Sequence, residues 1–561
     1  MVATNIEEIS QFFHQQFAEN RGLTTEQLTE MTHPKMAQLH DFGLAENADA
    51  FVQYLHTHSD NEITIFGDYD ADGVLATTVA YHGLKLLGIG SKVNVHVPTR
   101  ADGYGISPSA VDKLVTKFPT TETILTVDNG VVGFDGVAHA KSLGLDVVVS
   151  DHHLGTDVDT EADVVVDINR PSDNYPFKGL SGTGVIFKLW VLYAQRYNPE
   201  KLPAVYQLMD LVGVSVVSDV MPVLDENRVF LTSALRSIQL DKRPQWTALK
   251  HVLEAHRMRV PDVIDETFIG FTLAPIINSA NRVTDSPAYA YRVFMTQQPL
   301  FMDDYWTELV ALNNQRKDDV NAITKTLTEQ VYATYEKIPD ALVIVADMRL
   351  GYMGLIANSL MTEFNVPVIV ASETHDGIAH GSARSFEPYH LVNALKDAPH
   401  VLTVGGHAQA GGVSFKVADR ADVEREFAEA VHAQAEQNKI TETQVVSDIT
   451  LRFDTTQNAW TWQDKLVPLD VIVHLVAELA TYRPYGQSFP EPVIVLENVR
   501  VDDYFAMSQG LHSKFTTGGI AFIKWRDNGA LEKRIGETMT IVGQLSLNEF
   551  RGNVTPQVIL K

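Results

Sequence analysis

The sequence predicts an α/β protein in which a parallel-sheet domain is joined by a long helix to a smaller α/β domain, followed by a C-terminal β-barrel. Three observations support this architecture. Strand-like and helix-like patterns alternate from about residue 51 to 245, which is typical of a parallel sheet covered by helices. A run without proline or glycine from Asp303 to about Glu336 predicts a long helix between two globular parts. After about residue 445 the chain turns to short alternating segments, which predict the barrel.

The first strand of the parallel-sheet domain ends in an unusual group of acids. Three carboxylates at alternate positions follow the apolar run Ile63–Phe66, namely Asp68, Asp70 and Asp72. Apolar residues at helical spacing follow over 74–87, so the acids lie on a strand-to-helix turn. Acids this close repel one another unless a cation neutralises them, which predicts a metal site. A calcium loop of the EF-hand type is one alternative, but Val79 stands where that loop needs a glutamate. An ordinary solvated acidic turn is the other alternative.

Three further apolar runs also end in Asp or His. These runs lead into Asp128, into Asp151-His152-His153 and into Ser218-Asp219. Ligands gather at the carboxyl ends of the strands of a doubly wound sheet, so we expect all four groups to converge at strand ends. Oxygen ligands with one or two imidazoles suit Mn²⁺ or Mg²⁺, and the chain has no cysteine to offer Zn²⁺. A carboxylate-rich site that holds two ions is suited to hydrolysis of a phosphate ester.

These motifs resemble the four motifs of the DHH phosphoesterase superfamily, and within it the RecJ family of single-strand-specific 5′-to-3′ exonucleases. The motifs are Asp68-Tyr69-Asp70-Ala71-Asp72-Gly73, Asp128-Asn129-Gly130, Asp151-His152-His153 and Ser218-Asp219-Val220. The resemblance implies that Asp70, Asp72, Asp128, His152 and Asp219 are catalytic metal ligands, and that His153 lies against the scissile phosphate. Other superfamily members place a histidine at the position of Phe66, and Asp68 is the candidate to serve instead as a ligand.

The same resemblance supplies candidate substrate-binding residues outside the metal motifs. They are Arg100, Tyr104, Asn278, Arg282, Arg349, Arg384, Ser385 and His407. Arg100 and Tyr104 belong to a glycine-containing loop, for which a surface turn built on its glycines is the alternative. His407 follows Gly405-Gly406, and the alternative there is a tight turn with a structural histidine. The chain departs from the family at Ile276, where an arginine is usual, and at Asn281, where a glycine is usual.

A further departure from the family lies at the start of the second α/β unit, and a glycine-rich turn offers a separate candidate site. A Trp-His pair commonly precedes the glycine at 351 in the family, and here Arg349 could substitute as a cation. Ser181-Gly182-Thr183-Gly184 opens a helix-like segment and lacks the lysine of a nucleotide-binding loop. Such a turn binds an anion or allows close packing of the helix on the sheet, and packing is favoured.

The C-terminal region alternates aromatic residues with cations. Phe515, Phe522, Trp525 and Phe550 lie near Lys514, Lys524, Arg526 and Arg551 in sequence. This pattern suits single-strand binding by stacking and phosphate contact, and the alternative is that half of the aromatics form the barrel core. By the resemblance, we expect five segments: 1–50 helical, 51–245 DHH catalytic, 246–335 helical connector, 336–440 DHHA1 substrate-binding and 445–561 OB fold.

Composition narrows the class of protein. The 561 residues are 45% apolar, without any apolar stretch of membrane-spanning length, and the first thirty contain no secretory apolar segment. The net charge of −27 argues against a protein that coats nucleic acid non-specifically. The absence of cysteine excludes disulfides and thiolate chemistry and fits a cytoplasmic protein. The lack of long apolar stretches predicts that the protein has no membrane contact.

We therefore expect a two-metal Mn²⁺ or Mg²⁺ exonuclease that degrades single-stranded DNA from its 5′ end to mononucleotides in repair and recombination. The resemblance also implies a single-strand-binding protein and a RecQ-type helicase as partners. One alternative is a DHH-family phosphodiesterase for short RNA oligomers or cyclic dinucleotides. The other is a non-catalytic replication scaffold, which the retained carboxylates disfavour.

Overall fold

Five parallel strands form the sheet that carries the acidic motifs. The computed structural model describes residues 5–103, 105–155, 158, 160–284, 286–374, 376–438, 447–508, 510–525, 527, 529–550 and 553–560. The first elements are α1 (Ile6–Glu19), α2 (Thr25–Thr32), α3 (Ala48–Thr57), β1 (Glu62–Phe66), α4 (Ala71–Leu87), β2 (Lys92–His96), α5 (Pro108–Lys117), β3 (Thr123–Val127), α6 (Phe134–Ser142), β4 (Asp146–Asp151) and β5 (Val164–Asp167). The strand order is β2-β1-β3-β4-β5, with every pair parallel. The predicted parallel sheet is therefore confirmed.

The four apolar runs do not all become strands. The runs before Asp68, Asp128 and His152 form β1, β3 and β4, whereas the run before Asp219 is a helix. The helices after the sheet are α7 (Gly182–Tyr197), α8 (Leu202–Tyr206) and α9 (Met209–Ser218). The expectation that Asp219 follows a strand was wrong, because an apolar run buried on all sides has the same pattern in a helix and in a strand.

A helical region follows, as the sequence predicts. Its helices are α10 (Asp225–Gln239), α11 (Pro244–Ala255), α12 (Glu266–Phe268), α13 (Ala274–Val283), α14 (Ala288–Met295) and α15 (Pro299–Thr334). A π-helical segment, Ile269–Leu273, leads into α13. The long connecting helix is confirmed as α15, a single helix of 36 residues.

The second α/β unit has a mixed five-stranded sheet. Its elements are β6 (Leu342–Val345), α16 (Leu350–Phe364), β7 (Val368–Glu373), β8 (Ile378–Arg384), α17 (Leu391–Leu395), β9 (Val401–Gly406), β10 (Ala410–Lys416) and α18 (Arg420–Asn438). The order is β6-β7-β8-β10-β9, in which only β6 and β7 are parallel. A buried apolar core that includes Ile369, Phe415 and Phe427 lies under this sheet.

The C-terminal region is built on a nine-stranded sheet. Its elements are β11 (Ile449–Asp454), β12 (Ala459–Trp462), β13 (Lys465–Val467), α19 (Leu469–Thr481), β14 (Ile494–Arg500), β15 (Phe505–Met507), β16 (His512–Thr517), β17 (Ile520–Lys524), β18 (Thr538–Phe550) and β19 (Asn553–Leu560). The order is β13-β12-β11-β14-β18-β19-β17-β16-β15. The predicted strand-rich C-terminal region is thus observed.

The described residues divide into two units. One contains those of Met1–His40, Val220–Thr232 and Gln444–Lys561, and the other those of Asp41–Asp219 and Ser233–Thr443. In the first unit, Arg21 contacts Asp448 (2.7 Å), and buried Arg228 donates to the carbonyls of Tyr482 and Pro484. The second unit contains both the parallel sheet and the mixed sheet. The five-segment division expected from the sequence stays a prediction.

Candidate metal centre

The acidic motifs meet at the carboxyl ends of three neighbouring strands. Strand order reverses between β1 and β3, and at such a switch point the loops that leave the two strands diverge and open a crevice. The turns after β1, β3 and β4 carry Asp68, Asp128 and His152 into this crevice, and the end of α9 brings Asp219. Asp70 caps the start of α4 by accepting a hydrogen bond from the Gly73 N–H (3.0 Å).

His152 lies at the centre of the carboxylates. Its Nε2 atom is 3.1 Å from Asp128 Oδ1, 3.6 Å from Asp219 Oδ2 and 3.8 Å from Asp72 Oδ2. Three sets of residues could each hold a metal ion, because the ligand atoms within a set all lie within 4.8 Å of one another. The sets are Asp68, Asp70 and Asp128; Asp72, His152 and Asp219; and Asp128, His152 and His153. The structure therefore brings together all seven predicted catalytic and metal-binding side chains.

Burial makes this cluster unstable as a set of bare anions. Burial, followed by the charge of neighbouring carboxylates, raises the pKa of Asp68, Asp70 and Asp128, and raises that of Asp219 to about 9. Asp68 Oδ1 and Asp219 Oδ2 are buried oxygens that accept no hydrogen bond from any described residue. Buried, unsatisfied oxygens beside an imidazole are what a hard divalent cation needs, so the donors present fit Mn²⁺ or Mg²⁺.

His153 is paired with an acid that is not among the predicted ligands. Its Nδ1 lies 2.8 Å from Asp151 Oδ1, and the other oxygen of Asp151 accepts from the Val131 N–H (3.0 Å). Burial alone would lower the pKa of His153, but the hydrogen bond and charge of Asp151 raise it to about 9. The pair thus fixes the orientation of the His153 ring.

Asp72 is bound by the start of α7. Its carboxylate accepts from the N–H groups of Gly182 (2.8 Å) and Thr183 (3.0 Å) and from the Thr183 hydroxyl (2.5 Å). The glycine-rich turn therefore binds an anion that the chain itself supplies, while it also packs α7 against α4. Sequence reasoning missed this contact because a cap pattern shows that a helix begins but not which anion meets it.

Gly182 also permits the close approach of two ligands. A Cβ atom at this position would lie 2.4 Å from Asp128 Oδ1, a distance too short for any residue other than glycine. The same holds at Gly73, where a Cβ would lie 2.5 Å from the Cβ of Asp68. These two glycines therefore allow the carboxylates to converge.

A cavity of about 610 Å³ in the same unit is lined by three of the predicted substrate-binding residues, Arg100, Arg282 and Arg384. Two of these arginines interact electrostatically with Asp70. The charge of Arg100 favours the ionised form of Asp70, and the charge of Asp70 favours the protonated form of Arg282. Burial and the neighbouring Arg100 lower the pKa of Arg282 to about 10. Among the described residues, none of the three arginines forms an ion pair with an acid, so together they form a site for an anion.

Glycines shape the wall of this cavity. A Cβ at Gly351 would lie 2.7 Å from the Arg282 Cα, and one at Gly354 would lie 2.6 Å from the Arg384 Nη2. The start of α16 can therefore approach both arginines. Gly412 also lines the cavity, and no atom of the described residues beyond its chain neighbours lies within 4 Å of the position a Cβ would take, so this position faces open space.

The other predicted substrate-binding residues lie outside the cavity lining. Ser385 is buried and its hydroxyl donates to the Ala408 carbonyl (3.0 Å), whereas His407 and Arg349 are exposed. Asn278 is half-buried on α13. Tyr104 lies outside the described residues. For all of these residues a role in substrate binding stays a prediction.

The two departures on α13 are both buried. Ile276 is fully buried, so this position serves the core and presents no cation. Asn281 is 1% exposed, and neither its Nδ2 nor its Oδ1 has a hydrogen-bond partner among the residues that the structure describes. The arginine cluster is consequently formed without the position at 276.

Asp167, at the end of β5, provides a test of the electrostatics around the site. Burial raises its pKa to about 6, although its Oδ1 accepts from the Asn169 N–H (2.8 Å). The unfolded chain ionises at the lower ordinary pKa, so ionisation costs folding stability as the pH rises from about 4 to 6, and the full cost remains above pH 6. Asp167→Asn is therefore expected to increase the free energy of unfolding by up to about 3 kcal/mol at pH 8 and by little at pH 4. Urea unfolding at the two pH values measures this difference, and equal effects at both would contradict it.

The C-terminal aromatics divide into core and surface. Phe515 and Phe522 are fully buried and stack at 4.8 Å, whereas Trp525 is 52% exposed and contacts His512 edge to face. The side chain of Phe550 and the residues Arg526 and Arg551 lie outside the described set.

None of the helices in the described ranges combines the length and the hydrophobicity that crossing a bilayer requires.

Comparison with known proteins agrees with this architecture. The chain matches the DHH family N-terminal domain over residues 62–214, the DHHA1 domain over 339–437 and the RecJ OB domain over 464–561. These domains define a DHH-type phosphoesterase with an accessory DHHA1 domain and an OB domain.

Similarity over most of the chain gives the particular family. The Escherichia coli protein named single-stranded-DNA-specific exonuclease RecJ is 30% identical over 89% of this chain and 86% of its own length. The Bacillus subtilis protein of the same name is 29% identical over 96% of this chain, which spans 66% of that relative. A crystal structure of Thermus thermophilus RecJ in complex with Mn²⁺ shares the fold, with a TM-score of 0.75 and 23% identity over 98% of this chain and 75% of that chain. The chain belongs to the RecJ family.

Proposed function

We propose that this chain is a metal-dependent exonuclease that hydrolyses single-stranded DNA from its 5′ end to mononucleotides. One observation carries the proposal: a buried cluster of carboxylates and imidazoles lies beside a cavity lined by Arg100, Arg282 and Arg384. A cluster that attracts divalent cations and a cavity that attracts anions suit a phosphodiester held between them. Membership of the RecJ family supports the choice of single-stranded DNA and of the 5′ end.

We infer that the metal centre takes Mn²⁺ or Mg²⁺. The pair of ions expected from the number of carboxylates is matched by two sets of ligand atoms. Asp68, Asp70 and Asp128 form one set, and Asp72, His152 and Asp219 form another. Bound there, two divalent ions would activate water and neutralise the charge of the phosphoryl oxygens. Crystals of Thermus thermophilus RecJ with Mn²⁺ and with Mg²⁺ support this choice of ions.

The chain's own residues orient the substrate. His153, held through Nδ1 by Asp151, can donate from Nε2 to an oxygen of the scissile phosphate. Arg282 and Arg384 can donate to the oxygens of a phosphate in the cavity, where burial strengthens each charged contact. The open backbone at Gly412 leaves room for the sugar-phosphate chain.

Trp525 is the residue in the C-terminal region best placed to stack on a base. It is exposed, whereas Phe515 and Phe522 are buried in the core. Trp525→Ala is expected to weaken binding of a single strand by about tenfold, since loss of one base–aromatic stack costs about 1–3 kcal/mol. Fluorescence anisotropy with a labelled oligonucleotide measures the change, and Val554→Ala, at another exposed apolar residue of this region, is the control. Equal affinity of Trp525→Ala and native protein would contradict the assignment.

The cellular setting extends the same proposal. We infer a cytoplasmic role in DNA repair and recombination, with a single-strand-binding protein and a RecQ-type helicase as candidate partners. The family resemblance supports these points, and each of them stays a prediction.

A comparison of substrates tests the proposed function. With Mn²⁺, the native chain is expected to degrade a long single strand much faster than a blunt duplex of the same sequence, a short RNA oligomer or a cyclic dinucleotide. Preference for the RNA oligomer or the cyclic dinucleotide would instead support a phosphodiesterase for small substrates. Binding of the single strand without cleavage of any substrate would support a non-catalytic scaffold.

A further inference from the structure

Asp72 is held by four donors of its own chain. Its Oδ1 accepts from the Thr183 N–H (3.0 Å), the Thr183 hydroxyl (2.5 Å) and the Ser215 hydroxyl (2.5 Å). Its Oδ2 accepts from the Gly182 N–H alone (2.8 Å). Asp72 is 2% exposed, and Thr183 and Ser215 are fully buried, so water does not compete for these bonds.

The two oxygens of Asp72 are therefore unequal. A carboxylate has about four lone-pair sites, two on each oxygen. Three donors leave no site on Oδ1, whereas one donor leaves a site on Oδ2. Oδ2 is also the oxygen that faces the cluster, since it lies 3.8 Å from Nε2 of His152.

Ser215 connects Asp72 to a second ligand. Its carbonyl accepts from the Asp219 N–H (2.9 Å) at the end of α9, while its hydroxyl contacts Asp72. The same hydroxyl lies 2.6 Å from Ser181 Oγ, which caps α7 by accepting from the Gly184 N–H (3.1 Å). One serine thus connects α7, α9 and the first turn of α4.

We infer that Thr183 and Ser215 are positioning residues of the metal centre, which fix Asp72 so that it meets a cation through Oδ2 alone. The inference rests on the proposed function, because it takes the cluster to be a metal site. Loss of either hydroxyl leaves Oδ1 with two donors in place of three, so the orientation of the carboxylate is held less firmly. Loss of such an outer contact commonly lowers metal affinity by about 10- to 100-fold.

Binding of Mn²⁺ to the full chain, measured without DNA from the electron paramagnetic resonance signal of the free ion, tests the inference. Thr183→Val keeps the shape of the side chain but removes the donor, and it is expected to lower Mn²⁺ affinity by about tenfold or more. Thr183→Ser retains the hydroxyl and is expected to stay within about threefold of the native affinity. The matched control is Thr78→Val, at a buried threonine of α4 whose hydroxyl donates to the Val74 carbonyl (2.8 Å).

Ser215→Ala is the second variant and decides the matter if Thr183→Val does not give a native circular dichroism spectrum. Reduced affinity in these variants, with native affinity in Thr183→Ser and Thr78→Val, supports the inference. Native affinity in a folded Thr183→Val or Ser215→Ala would overturn it while leaving the proposed function in place. Failure of the native chain itself to bind Mn²⁺ would overturn the proposed function.

Discussion

Asp128→Asn is expected to lower the rate of single-strand digestion by about 10³-fold or more, because a metal ion supplies several kcal/mol of charge stabilisation. Asp128 belongs to two of the three sets of ligand atoms, and it lies 3.1 Å from His152 at the centre of the cluster. The amide has nearly the same size as the carboxylate, so it fits beside Gly182 without a new clash. The loss is thus expected in charge and not in packing.

Digestion of a labelled single strand with Mn²⁺ measures the rate, and a titration of Mn²⁺ binding measures the affinity of the variant for the metal. Asp112→Asn is the control, since Asp112 is exposed on α5 and pairs with His139 (2.8 Å) away from the metal motifs. We expect the control to retain native activity and native Mn²⁺ affinity. Activity of Asp128→Asn within tenfold of the native rate would contradict the assignment of Asp128 as a ligand.

Replacing the arginines of the cavity is expected to weaken binding of the DNA strand but not binding of the metal ions. Arg282→Met and Arg384→Met are each expected to raise the KM for a single strand by about 10- to 100-fold, since a hydrogen bond to a charged group is worth about 1.5–3 kcal/mol. Methionine preserves much of the apolar stem of an arginine and removes the guanidinium, which in Arg384 lies beside Gly354. Mn²⁺ affinity is expected to remain native in both variants.

Steady-state kinetics over a range of strand concentrations separates these effects. Arg425→Met is the matched control, because Arg425 is exposed on α18 and makes only surface pairs with Asp422, Glu426 and Glu429 among the contacts described. If both cavity variants kept the native KM, the cavity would not be the phosphate site. If they lost Mn²⁺ binding as well, the arginines would act on the fold of the metal centre.

Much of the metal centre could be predicted from the sequence because each strand carries its ligand at the next turn. Asp68, Asp70, Asp128 and His152 follow apolar runs that form β1, β3 and β4, and parallel strands deliver their ends to one edge. Asp219 was found by its motif although its run is a helix. The convergence was predictable even where the secondary structure was not.

The contacts that hold the ligands could not be predicted in the same way. Asp72 meets Thr183 and Ser215, which are more than a hundred residues away, and no local pattern pairs them. Asp151 belongs to a recognised motif, yet its bond to His153 depends on the turn after β4. The cavity likewise depends on how α13, α16 and β8 pack, which sequence periodicity does not specify.

The most direct test of the central claim is digestion of the same single strand labelled at its 5′ end or at its 3′ end, with Mn²⁺ and the native chain. The account predicts immediate release of the 5′ label as a mononucleotide, while the 3′ label remains in steadily shortening fragments. Release of the 3′ label first, or persistence of both labels on full-length strands, would contradict it.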